Sequence, residues 1–592
     1  NPFFAEEMVR EIVQQRVLAG DRGGYLCRTD VAEVNVPATL EAAIDARIDR
    51  LSLPARRTLN AASVIGVRFD GELLSALGID AVFDELLGTE LIDQVRFTPS
   101  AEYAFRHPLI RAVTYESQLK SVRAEWHRRV AAAIQEHAPG SVKENAALIA
   151  EHLEAADELH AAHDWHMRAG AWSTNRDLAA ARLSWERARR IADRLPGDHP
   201  DHLSMRIAPR TLLCATDWQA REVQESLGRF AELRELCGAA GDKVSLAIGM
   251  TAVATELLYA GRTREGARIA SDQMALLESI DDPTPAMGLA PIAFCNWLGV
   301  GDFDQVLRWS QTVVDLAAGD PSKGAGFGIG SPLAIALAWR GTARWWLGRP
   351  GWRQDLHDGV ALARRSNTET LSGAIAWTYG FAMQYGALRT SESVVRVCEE
   401  AVQTAQRASS DRALGLAAYT LAVGLLNRDA AADRQRGLEF MTRARDIWLR
   451  KRALFLIPVT DLWVARETAR RGARDAAIEA MRHAVEELCQ ARNVFYGAWG
   501  TCVLVVTLLD RGTQGDLAEA REAIHGLTVL WADDGSAMRE ITLLRLRTLM
   551  ARARGDDVAL QDMVGRYHAM ALSLGFEGHI DWAGAMVACA NR

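Results

Sequence analysis

With 592 residues, 49% of them apolar and 24% charged, the chain is too long for one hydrophobic core and has ordinary globular composition. A formal net charge of -8 gives no general attraction to nucleic acid or to an anionic membrane. The most apolar stretch, around Met287 to Val300, is broken by Pro291 and Asn296 short of a membrane span, and the scattered cysteines, with no C-x-x-C pair, read as reduced thiols of a cytoplasmic protein.

From Pro2 to about Val17 apolar residues recur at helical spacing, and a glycine-rich break follows at Gly20 to Gly24. Thr39 to Leu51, Pro54 to Ile65 and Phe83 to Leu91 read as short helices, with Pro37 and Pro54 at or just before their starts. Leu91 to Phe97 and Tyr103 to Phe105 then alternate around Pro99-Ser100, the signature of a hairpin. Three helices and a hairpin describe a winged helix. After His107-Pro108 the chain reads as helix nearly to its end, with pivots at Gly261, Gly301, Gly348, Gly386, Gly472, Gly512 to Gly515 and Gly555. That is a period of about 40 residues, with the interval from 386 to 472 counted as two, and it predicts stacked helical hairpins. Small residues such as Ala334, Ala336 and Ala338 let helices approach closely, as in tetratricopeptide repeats. The fold class expected is all-α: a small winged-helix module followed by a right-handed α-solenoid of tetratricopeptide-like hairpins. The module occupies 36–137 and the array 138–592.

Several segments, in order, carry a resemblance. Asn1-Pro2-Phe3-Phe4-Ala5-Glu6-Glu7-Met8 is similar to the stretch that closes the ATPase domain of large bacterial signalling ATPases. Val36-Pro37-Ala38-Thr39-Leu40, Ala46-Arg47-Ile48-Asp49-Arg50-Leu51, Ala61-Ala62-Ser63-Val64-Ile65-Gly66 and Phe105-Arg106-His107-Pro108-Leu109-Ile110-Arg111 resemble their winged-helix segment, and Trp126-His127-Arg128-Arg129 extends it. The resemblance is to STAND-type ATPases with tetratricopeptide tails, linked to class III adenylate or guanylate cyclases or to LuxR-type regulators. It covers about the first 190 residues. It implies that 1–35 is the C-terminal remnant of an ATPase domain and that Pro2 lies near an adenine. It also implies that the chain is cut from a larger protein and that its partners are the missing ATPase domain and a protein or small-molecule inducer held in the solenoid groove. No G-x-x-x-x-G-K-[ST] is present, so the chain is expected to be no enzyme and to hold no cofactor of its own. The end, 575–592, lacks a LuxR-like helix-turn-helix, which favours the cyclase-linked branch.

Other candidate chemistry has a blander reading beside it. His152, His160, His163 and His166 could gather a metal, yet three-residue steps drift around a helix and no cysteine or H-E-x-x-H completes a site, so solvated or capping histidines are expected and no metal. His107 could be a base, but its apolar setting suits a junction residue. The helix that would enter a DNA groove, Asp80 to Leu87, is acidic and apolar, which argues against DNA and for a helix packed as a regulatory lid; a LuxR-type DNA-binding regulator is the alternative function. Gly324 to Gly330 mimics a dinucleotide fingerprint without a preceding strand and reads as a loop. Tryptophans crowd the middle of the array, mostly as packing. Trp339, Arg340, Arg344, Trp345, Trp346, Arg349 and Trp352 combine the residue types of binding hot spots and form the expected partner surface.

Overall fold

A computed structural model describes residues 18–19, 26–27 and 39–590, apart from 99–100, 138–139, 175, 218–222, 327 and 532–534. The chain packs as two units, Asn1–Leu213 and Cys214–Arg592.

In the first unit, Thr39 opens the helix Leu40–Asp49 by accepting the amide of Ala42, and Ser52 opens Leu53–Ile65 with Pro54 in its first turn. Two elements escape sequence periodicity because they are so short: the strand Arg68–Asp70 and the six-residue helix Gly71–Ala76, which Asp70 caps. That strand pairs with Glu102–Phe105, which also pairs with Ile92–Arg96, so the hairpin becomes a three-stranded antiparallel sheet. Residues 99–100, the expected turn, lie outside the described residues. Phe69, Phe105, Leu59, Leu74 and Ile110 fill the space between sheet and helices, and Phe83 stacks on Tyr103 at 3.9 Å. His107 is an N-cap: its Nδ1 accepts the amide of Leu109 ahead of Pro108. The helices Lys120–His137, Ala146–Ala155, Leu159–Ser173 and Leu178–Arg194 follow, and Ile149, Leu153, Ala162 and Ile191 share the core of the winged helix.

The second unit is a run of tetratricopeptide-like helical hairpins. Lys243–Tyr259 pairs with Thr263–Glu278, Thr284–Val300 with Phe303–Ala317, and Pro332–Leu347 with Trp352–Ala363; the pattern continues to Ala537–Ala553 with Asp557–Leu574 and a last helix, Glu577–Ala590. The glycine pivots fall between the two helices of a hairpin, where Gly301 and Gly348 adopt φ of 80° and 71°, open to glycine without the Cβ penalty. The hairpin Asp411–Leu426 and Ala431–Arg450 turns without glycine, through Asn427 in an ordinary helical conformation. Val494–Arg511 is the one described helix long and apolar enough to cross a membrane by length and composition. Here it is a core helix, with Phe495, Val505 and Leu508 fully buried. Burial pushes the thiols of Cys237, Cys295, Cys398 and Cys502 up to about 12, so they are packing groups rather than nucleophiles.

Candidate functional site

The interior of the second unit is where chemistry-bearing side chains converge. Its helices come close because small residues face them: a Cβ on Gly341 would lie 2.7 Å from Leu356, and one on Gly359 would lie 3.1 Å from the Ala334 carbonyl. The hairpins also meet others far along the chain. Thr284–Val300 packs on Val494–Arg511, and Pro332–Leu347 on Ala537–Ala553. A Cβ on Gly348 would sit 2.6 Å from that of Ala537, and one on Gly578 would sit 2.8 Å from the Gly386 carbonyl. The Tyr385 hydroxyl donates to the Phe495 carbonyl, Arg389 pairs with Asp581, and Arg353 with Glu577 at 2.6 Å. These contacts close what an open solenoid would leave as a groove.

That closure decides where the expected partner surface lies. Trp339, Trp345 and Trp346 are at most 1% exposed. Trp346 stacks on Phe303 at 4.3 Å and meets Tyr385, Phe495 and Trp531. Arg340 and Arg344 both grip the buried Asp355, at 2.5 Å and 2.7 Å, and Arg340 also donates to Gln311. Trp352 is buried against Phe576. Arg349 alone of the seven stands fully exposed, on the turn. The set therefore builds the wall between successive hairpins, because the apolar face that would line a groove is consumed by the returning helices. Pro2 lies outside the described residues.

Two cavities lie among these long-range contacts. One, of about 150 Å³, is walled by Trp339, Trp377, Phe381, Phe455, the half-buried Tyr259 and the buried Tyr496. Trp377 sits on a single π turn, Ala376–Gly380, which widens the helix at the cavity wall. An ion pair, Arg412 with Glu369 at 2.8 Å, lies in the same wall, and Glu369 also accepts the Ser410 hydroxyl. The other cavity, of about 430 Å³, is more open and polar, with Arg466, Arg470, Arg474 and Arg545 around it and Trp499 and Trp582 among its walls. Burial first, then Arg470 and Arg545, holds the Arg466 guanidinium down to about 9. His579 stays neutral there: its Nε2–H donates to the Tyr385 carbonyl and its Nδ1 accepts the Tyr567 hydroxyl, while burial, then Arg545, drives its basicity down to about 3. The four-residue spacing of Arg466 and Arg470 on one helix is the one signal of this cavity in the sequence, while Arg474 opens the next helix beyond the Gly472 turn. Gln384, Arg545 and His579 carry no local signal at all.

The histidines of the first unit take separate partners. Nδ1 of His152 lies 2.8 Å from Nδ1 of His127, whose Nε2 meets the Tyr115 hydroxyl at 2.9 Å. One hydrogen serves the Nδ1–Nδ1 contact, so the two rings are not both protonated, and burial, the leading cause for each, pushes both down to about 4. His163 donates to the Met205 carbonyl, and His166 faces Glu154. His160 instead meets His199 and Asp201, with ligand atoms within 4.8 Å of one another on the surface. Glu85, in the acidic helix Phe83–Gly88, accepts both the amide and the hydroxyl of Ser52, which draws its carboxyl down. In the glycine-rich segment, Gly326 and Ile329 form an isolated bridge, between the helices Phe303–Ala317 and Pro332–Leu347.

No known family profile matches the chain. An uncharacterized protein of Rhizobium meliloti (strain 1021) is 27% identical over 146 residues, which is 24% of this chain and 14% of that protein. The chain thus spans a small part of the curated relative it matches. Among solved structures, a signal transduction ATPase with numerous domains bearing a tetratricopeptide repeat sensor, from Pyrococcus horikoshii, matches over 86% of this chain and 69% of that one at 10% identity and a TM-score of 0.42. A Rap protein complexed with competence and sporulation factor matches over 71% and 99%, at 10% identity and 0.36. Yeast Tom70 matches over 76% and 96%, at 11% identity and 0.29.

Proposed function

We propose that this chain is the non-catalytic sensing arm of a multidomain signalling ATPase, and that the repeat unit holds a small ligand in its interior rather than on an open groove. The winged helix and first hairpins form the part nearest the ATPase domain in sequence, as the resemblance of the first 190 residues implies. The observation that carries the reading is the enclosed space of the second unit. Each of its two cavities is walled by helices far apart in the chain, Thr251 to Tyr496 in one and Gln384 to Trp582 in the other, so an occupant of either touches distant hairpins and biases how tightly they close. A ligand that binds the closed arrangement better than a looser one shifts that equilibrium by its differential affinity.

The test is mass identification of small molecules retained by the purified chain, paired with amide exchange before and after the retained molecule is removed. A retained molecule whose removal speeds exchange in both Val494–Arg511 and Glu577–Ala590 is the expected result. A chain that retains nothing, and whose exchange is unchanged by metabolite extracts, would remove the reading and leave the array as a scaffold.

A further inference from the structure

We propose that the arginine-lined cavity of the second unit is an oxyanion site, in which Arg466, Arg470 and Arg545 receive the phosphate or carboxylate of a small organic molecule whose apolar body lies against Trp499 and Val506. The inference deepens the ligand-holding reading above and rests on it.

The argument begins with unbalanced charge. Elsewhere in this unit buried or half-buried arginines have carboxylates: Arg340 and Arg344 share Asp355, Arg412 has Glu369, Arg445 has Asp461 and Arg511 has Asp516. At the cavity the pattern breaks. Arg466 donates only to the neutral Asn427 amide oxygen, at 2.8 Å, with its guanidinium 4.9 Å from the Trp463 ring. Arg470 donates to the Leu426 carbonyl at 2.9 Å. Arg545 lies 4.0 Å over Trp582, and its Nε is buried without a partner. Glu467, next to Arg466 in sequence, is committed to Arg434 and Arg471. Among the described lining residues Asp510 is the one carboxylate, and no ion pair joins it to these arginines.

A second, independent feature points the same way. Gln384 is 4% exposed and lines this cavity. Its Oε1 accepts the Tyr419 hydroxyl at 2.7 Å, and its Nε2 is a buried donor with no acceptor. Buried donors without acceptors cost about 1–3 kcal/mol each, so a site that collects them around crowded guanidiniums is organised for something that accepts. Guanidinium groups bind carboxylate and phosphate through paired N–H donors, and a space of about 430 Å³ has the size of small-ligand sites. His579 adds no charge, since both ring nitrogens are spoken for within the protein.

The test uses calorimetric titration of the full chain with phenyl phosphate, benzoate, inorganic phosphate and phenol. Phenyl phosphate or benzoate should bind at least tenfold more tightly than phenol, and more tightly than inorganic phosphate, which lacks the apolar body. Arg466→Gln and Arg545→Gln should each weaken the preferred anion at least tenfold while the thermal midpoint holds or rises, because repulsion is relieved. Arg466→Lys should fall between, and Arg566→Gln on an exposed helix face should change nothing. Equal affinity for phenol and the anions, or anion binding untouched by the two glutamine variants, overturns the site. If no anion binds up to about 10 mM while the purified chain still retains a neutral molecule, the oxyanion assignment fails and the ligand-holding reading survives; if nothing is retained or bound, both fail.

Discussion

Replacing Trp346 with alanine separates a filled interior from an open binding face. The indole is 1% exposed, stacks on Phe303 at 4.3 Å and is walled by Tyr385, Phe495 and Trp531, which come from two hairpins further along the chain. A buried tryptophan covers roughly 150–250 Å², which at about 25 cal/mol per Å² corresponds to ~4–6 kcal/mol. Its Nε1 has no hydrogen-bond partner, so no polar term offsets or adds to that figure. Large-to-alanine changes in cores cost about 3–5 kcal/mol, and we expect Trp346→Ala in that range. Trp346→Phe keeps a ring against Phe303 and should cost about half or less. The assay is urea denaturation followed by far-ultraviolet circular dichroism, with amide exchange in Pro332–Leu347 and Val494–Arg511, since a long repeat array need not unfold in one step. A loss below about 1 kcal/mol, typical of a surface aromatic, with exchange confined to Pro332–Leu347, would refute the closed interior.

The remaining expectations draw on other contacts. Asp355→Ala strands Arg340 and Arg344 beside an empty site and should cost about 3 kcal/mol, read as a lowered thermal midpoint; a loss within ~0.5 kcal/mol would return those arginines to a surface role. His127 and His152, pushed down to about 4, and His579, down to about 3, stay neutral in the folded chain while their unfolded counterparts protonate near 6.5. Their contribution is whole above pH 6.5 and is lost as pH falls toward 4 and then 3, so the thermal midpoint should drop between pH 6.5 and 4.5; a flat profile would count against buried neutral imidazoles. Gly578→Ala forces a Cβ to 2.8 Å from the Gly386 carbonyl and should cost about 1–3 kcal/mol, with faster exchange in Glu577–Ala590; unchanged exchange there would mean the far contact is dispensable.

Much of the architecture was legible because it is local. Helical pivots need glycine where φ turns positive, and hairpin packing needs small residues at the crossing, so Gly301, Gly348 and the alanines of Pro332–Leu347 announced themselves. Arg68–Asp70 did not, since three residues carry no period. Tryptophan crowding was visible, but its meaning was not: an indole on the inner face reads alike whether that face meets a ligand or a returning helix. Which one it meets depends on the rotation between successive hairpins, a sum of small packing angles that no single segment sets. For the same reason Gln384, Arg466 and Arg545, spread over 160 residues, could not be assembled from spacing.

The contacts that run from Gly386 to His579 and from Tyr385 to Phe495 have a consequence for how such a chain can change over time. Open repeat arrays gain or lose units freely, because each unit answers only to its neighbours. Here a hairpin inserted or deleted anywhere between residues 386 and 579 would change the angle at which the later helices arrive, and Gly578 would no longer find Gly386. The number of repeats between those contacts is thereby fixed, and divergence is channelled into side chains rather than length.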